Sequence, residues 1–144
     1  MFLGKYARTL DVKHRITVPA AFQAELAGGA YMTQGFDRNV QVLKTDAFRL
    51  LYRQAASLNI ADPLARLMLR LFLGSAIELP AVKSTLAIPD SLRAYADLGG
   101  NVLVIGQGDY FEIWSPDHWR EQELQLQDAA ANASRFAALE LGMH

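Results

Sequence analysis

Leu10-Asp11-Val12-Lys13-His14-Arg15-Ile16-Thr17-Val18-Pro19 is the stretch on which the reading of this chain turns. Apolar residues flank a short polar tip, then alternate through Ile16 and Val18 up to a proline. That pattern predicts a tight β-hairpin followed by a helix start. Lys13, His14 and Arg15 stud the tip, and Lys5 and Arg8 precede it on the first arm. A hairpin tip of this kind can be pressed against a phosphate backbone.

The stretch occurs twice. Pro80-Ala81-Val82-Lys83-Ser84-Thr85-Leu86-Ala87-Ile88-Pro89 aligns with it without gaps, Val12 on Val82, Lys13 on Lys83 and Pro19 on Pro89. Further on, Gly28-Gly29 matches Gly99-Gly100, Gly35 matches Gly106, and Val40-Gln41-Val42 matches Phe111-Glu112-Ile113. Asp46 and Phe48 match Asp117 and Trp119. The chain is therefore two copies of one unit: a hairpin, a short helix, a strand pair and a longer helix. Two copies are too few for a solenoid, which leaves a pseudo-twofold arrangement around one core.

These residues resemble the MraZ family of bacterial transcription regulators, within the AbrB/MazE-like swapped-hairpin group. The likeness rests on Asp11-Val12-Lys13-His14-Arg15 before an alternating strand and Pro19, on Met1-Phe2-Leu3-Gly4, and on the doubled unit. Phe72-Leu73-Gly74-Ser75-Ala76 and Tyr110-Phe111-Glu112-Ile113-Trp114 belong to it as well. The resemblance implies an α+β fold in which two fused AbrB-like swapped-hairpin units share a β-barrel core, with flanking helices. It implies a homo-oligomeric ring that reads short direct repeats in a promoter of cell-wall and division genes. Two departures from the family pattern stand out. His14 takes a glycine position, and the second copy has Ala81 and Thr85 where an Asp/Arg pair belongs, with Lys83 alone keeping its charge.

Bulk composition sets the frame. The 144 residues are 51% hydrophobic, enough for one compact core, and contain no cysteine, which excludes disulfides and thiolate metal sites. Apolar residues 67–73 are interrupted by Arg70, and no signal-like segment is evident, so a soluble, cytoplasmic, nucleoid-associated protein is expected. Net charge is −1, yet Lys5, Arg8, Lys13 and Arg15 crowd the first 15 residues, whereas residues 109–128 are acidic. A neutral body with one cationic edge suits contact with DNA through a limited surface.

Taken in order, the chain divides into a first repeat with its helix (1–60), a connecting helix (61–75), a second repeat with its helix (76–128) and a C-terminal segment (129–144). The first unit holds strands at 5–11 and 14–18, a helix at 20–26, and strands at 30–34 and 40–43 about a turn. Thr45 is a plausible N-cap for a helix whose Phe48, Leu51, Tyr52, Ala55 and Leu58 face a core. Asp62-Pro63 is a cap and first-turn proline for a helix over 63–74, striped by Leu64, Leu67, Met68, Leu71 and Phe72 and widened by Leu69 and Leu73. Such a helix is buried against a neighbouring subunit or in a deep core. The second unit places strands near 76–80, 85–88, 101–105 and 110–114, a helix at 90–97, and a final long helix opened by Ser115-Pro116. Beyond Asp128 the alanine-rich sequence either continues the helix, with Phe136, Leu139 and Leu141 as an apolar edge and Gly142 as its stop, or frays.

The tip residues divide by chemistry. Asp11 would repel phosphate, so its expected role is to hold the turn and aim Arg15. Lys13 is a flexible point charge, and Arg15 a planar fork able to grip phosphate or guanine O6/N7 in two bonds. Lys5, Arg8 and His14 are expected to help, and Lys83 weakly. Elsewhere, Gly106-Gln107-Gly108 reads as a hairpin turn rather than a phosphate loop. His118, Glu121 and Gln122 read as a wet helix surface rather than a metal site, and Trp114, Trp119 and Phe48 as core. No cofactor, small-molecule ligand, membrane partner or catalytic constellation is expected. The expected function is sequence-specific binding of double-stranded promoter DNA. The alternative is a ring-forming scaffold that has lost DNA binding, as the degraded second motif would allow.

Overall fold

The two arms of the first hairpin part directly after their turn. In the computed structural model, which describes residues 1–140, β1 (Lys5–Thr9) pairs antiparallel with β7 (Asn101–Gly106), and β2 (Arg15–Thr17) pairs with β6 (Thr85–Ala87). The second hairpin does the same in reverse, for β5 (Ile77–Leu79) pairs with β3 (Ala30–Gln34) of the first repeat. Each repeat thus lends its hairpin to the other. β4 (Val40–Lys44) and β8 (Tyr110–Trp114) form the seam, with Gln41 opposite Glu112.

Strand order in the larger sheet is β1-β7-β8-β4-β3-β5. Exchanging repeat-equivalent strands reverses this order without changing it, so a pseudo-twofold axis runs between β8 and β4. The registers agree: Gln41 faces its own equivalent Glu112, and Ile16 faces its equivalent Leu86. Even loop bonds are duplicated, Val18 N–H donating to Ser84 O at 2.8 Å and Ile88 N–H to His14 O at 3.0 Å.

A closed barrel is not formed. Among the described residues the strands make a six-stranded sheet and a separate two-stranded ribbon. Between β1 and β2 the cause lies at the outer edge of β2. Its Arg15 carbonyl accepts from Asp11 N–H, and its Thr17 carbonyl is capped by the Arg8 side chain at 2.9 Å rather than by a β1 backbone donor. With those acceptors occupied, no ladder joins β1 to β2.

Six helices accompany these strands among the described residues. Helices α1 (Ala20–Leu26) and α4 (Asp90–Ala96) follow Pro19 and Pro89, as the prolines foretell. Helix α2 (Thr45–Ala56) is N-capped by Lys44 backbone without a side-chain bond, so Thr45 is its first residue and not its cap. It buries Phe48, stacked on Tyr31 at 4.0 Å, and Ala55, whereas Tyr52 and Leu58 are exposed. Helix α3 (Pro63–Phe72) is capped by Asp62, whose carboxylate accepts from Leu64 N–H at 2.9 Å. Helix α5 (Pro116–Gln127) is capped by Ser115. At Asp128 the chain breaks and restarts as α6 (Ala129–Ala137), neither one continuous helix nor a fray, because the Asp128 side chain caps Ala131 N–H. Leu141, Gly142 and His144 lie outside the described residues.

Both repeats contribute to one core. Ile16, Val18, Phe22 and Leu26 meet Leu86, Ile88, Leu92, Phe111 and Ile113, all but fully buried. Phe2 enters it edge-on to Phe22 and Phe111 at about 5 Å between ring centroids. Shared burial on this scale ties the two repeats together through a single cluster.

Candidate nucleic-acid interface

The first tip is a turn built around one carboxylate. His14 N–H donates to Asp11 O at 2.9 Å, closing a β-turn, and Asp11 N–H donates to Arg15 O at 2.9 Å below it. Asp11 Oδ1 accepts from both Lys13 N–H and Arg15 N–H at 2.9 Å, the self-bonding that makes aspartate a turn residue. Its Oδ2 takes Arg15 Nε at 2.9 Å. The backbone hydrogen bond from Arg15, with the Arg15 side chain and Lys13 N–H adding to it, holds the Asp11 carboxyl below its ordinary value.

This arrangement fixes Arg15 by one nitrogen. Among the described residues its two terminal nitrogens carry no hydrogen bond, and the side chain remains two-fifths exposed. Lys13 and His14 are exposed beside it. His14 sits at φ 58°, in the left-handed region its glycine-like position requires. The strain costs roughly 1–2 kcal/mol, and histidine is among the residues that tolerate it more readily.

Arg8 and Lys5 are placed differently. The Arg8 guanidinium bonds Thr17 O at 2.9 Å and Ala7 O at 2.8 Å and lies 5.6 Å from the Tyr6 ring centre. It braces the base of the hairpin. Lys5 lies six residues back along the chain, roughly 20 Å at strand rise, with Nζ 5.6 Å from the Trp119 ring centre. The structure therefore groups Lys13, His14 and Arg15, adds Arg8 as a brace, and separates Lys5 from them.

The second tip is of another kind. Ala81 and Thr85 supply neither carboxylate nor guanidinium, and none of the turn bonds of the first tip recurs among the described residues. Val82 instead drops into the core and is 5% exposed, whereas its equivalent Val12 is 95% exposed. Lys83 stays on the surface. The bracing role of Arg8, with Tyr6 beside it, and the exposure of Val12 were not read from the sequence. The signal for the second was available, since a valine beside a turn aspartate has no packing partner within the hairpin.

Among the described residues no cluster of three or more His, Asp or Glu that could hold a metal ion forms, around His118 or elsewhere. No helix there is long and apolar enough to cross a membrane.

The chain has counterparts among known proteins along most of its length. A family model described as "MraZ protein, putative antitoxin-like" matches residues 1–71 and 83–139. The chain belongs to the MraZ family. MraZ relatives match nearly end to end. A transcriptional regulator MraZ from Thermomicrobium roseum is 35% identical over 96% of this chain and 99% of its own length. One from Kocuria rhizophila is 40% identical over 90% and 91%. One from Leifsonia xyli subsp. xyli is also 40% identical, with the same coverage. The chain is thus a transcriptional regulator of the MraZ type, not an enzyme. The internal segment between the two matched ranges, 72–82, includes Ala81 and Val82 of the altered second tip.

Proposed function

We propose that this protein binds short, closely repeated sites in promoter DNA through its first hairpin tip, several copies acting together in a ring. The observation carrying the proposal is the half-exposed arginine held at Nε by Asp11, its terminal nitrogens without a hydrogen bond among the described residues. Such a fork grips a phosphate or the O6/N7 edge of guanine in two bonds, the latter worth about 1–3 kcal/mol of discrimination. Lys13 adds a phosphate contact and His14 a hydrogen bond. Arg8 acts chiefly by keeping the hairpin rigid. Lys5 and Lys83 add long-range attraction.

One tip is a weak grip. Each phosphate neutralised contributes about 0.9 to the salt slope, and three or four cations per chain leave little affinity at physiological salt. Joining sites multiplies binding by roughly 10²–10⁴, which supports a side-by-side assembly. Helix α3 supports it too, for Leu64 and Leu67 are 70% and 62% exposed and, with Phe36, Leu58, Leu71 and Tyr95, line an apolar groove of about 600 Å³. A deep-core role for α3 is overturned by that exposure. Its apolar face is suited to a neighbouring subunit. The assembly would act on the nucleoid, at genes of cell-wall synthesis and division as the family suggests.

Footprinting on the DNA upstream of its own coding region tests the reading. Short protected sites at regular spacing are expected; uniform or absent protection contradicts it. A Leu67→Glu variant should run at lower native mass than the wild type and protect the same sites only weakly.

The collapsed second tip favours one other reading, a ring scaffold without DNA contact. It predicts the same native mass and no protected sites.

A further inference from the structure

Val12 is the most exposed large apolar residue among those described, at 95%. Folding gives no reason for an isopropyl group there. The turn is held by Asp11 through backbone N–H groups, so a polar residue would serve equally well at position 12. The second repeat indicates what folding does with a valine at this position: Val82 is buried. Val12 is the second residue of the turn closed by His14 N–H on Asp11 O, next in the chain to exposed Lys13 and three residues before Arg15, so a surface meeting this tip meets its isopropyl group.

Its side chain has no donor or acceptor for phosphate or for a polar base edge. The major groove admits a two-stranded ribbon and presents one apolar group on its base edges, the C5-methyl of thymine. We propose that Val12 reads thymine methyl groups beside the Arg15 contact and so sets part of the sequence preference. The inference rests on the DNA-binding reading above.

Methyl burial of this kind is worth roughly a fourfold change in affinity for each group covered. The test uses two duplexes of the upstream region, one natural and one with every thymine replaced by deoxyuridine. That replacement removes the methyl and keeps every hydrogen-bonding edge. Wild type and Val12→Ser are titrated with both, at low salt, after matching thermal transitions verify that the exposed substitution leaves the fold intact. The wild type should prefer the thymine duplex at least fourfold, and Val12→Ser should bind both alike. Equal binding by the wild type, or an undiminished preference in Val12→Ser, overturns the role of Val12 while DNA binding stands. No binding of either duplex by the wild type overturns both.

Discussion

Val12 and Val82 hold the same position in the two repeats and lie in opposite surroundings, one 95% exposed and the other 5%. The first tip leaves its valine in water, and the second turns its valine into the core. Val82→Ala should therefore cost about 1–3 kcal/mol of stability, and Val12→Ala should stay within about 0.5 kcal/mol of wild type. Urea unfolding of the two variants measures this; equal effects would contradict the asymmetry.

His14 stores strain that glycine would release. At φ 58° a Cβ is disfavoured, and the gain from removing it exceeds the added chain entropy of glycine by roughly 0.5–1 kcal/mol. His14→Gly should raise the unfolding midpoint. A lower midpoint would mean that the imidazole makes a stabilising contact of its own.

Acid should loosen the protein through Glu25 and Asp11. Hydrogen bonds from Lys44 and from the Met1 amino group hold Glu25 at about 2, well below its usual 4.5, and Asp11 is lowered by its turn bonds. Both folded values lie below the unfolded ones. Their stabilisation is complete above about pH 4.5 and is lost as pH falls toward 2. Glu25→Gln should flatten that acid limb in urea midpoints taken between pH 6 and 3.

Glu112 acts with the opposite sign. It is buried beside the pseudo-twofold axis, and burial raises its carboxyl above the usual range, although Trp114 Nε1 at 3.0 Å partly offsets this. A raised folded value means that stability declines as pH climbs from the unfolded value through the folded one. Glu112→Gln reproduces the residue at the equivalent position, Gln41, and keeps an acceptor for Trp114. It should be more stable than wild type at pH 7 and indistinguishable from it below pH 4.

The repeat, the helix starts at Pro19, Pro63, Pro89 and Pro116, and the Asp11–Arg15 pair were legible in the sequence because each is a local rule of spacing or capping. Strand exchange between repeats was expected only through the family likeness, since β1 carries no mark saying that its partner lies at Asn101–Gly106 rather than in β2. The missing ladder between β1 and β2 was illegible because a long side chain, Arg8, takes an acceptor that periodicity assigns to backbone. The spacing of Phe48, Leu51, Tyr52, Ala55 and Leu58 predicts one core-facing stripe, yet Tyr52 is exposed and Leu58 lies beyond the end of α2, also exposed. A hydrophobic stripe states which face is apolar, and not how much of it the rest of the chain covers.

DNA contact through the first tip is tested most directly by titrating the upstream duplex with wild type and Arg15→Ala at two salt concentrations. The account predicts salt-sensitive wild-type binding and a loss of at least tenfold in Arg15→Ala, with unchanged native mass. Equal affinity of the two proteins at both salt concentrations would contradict it.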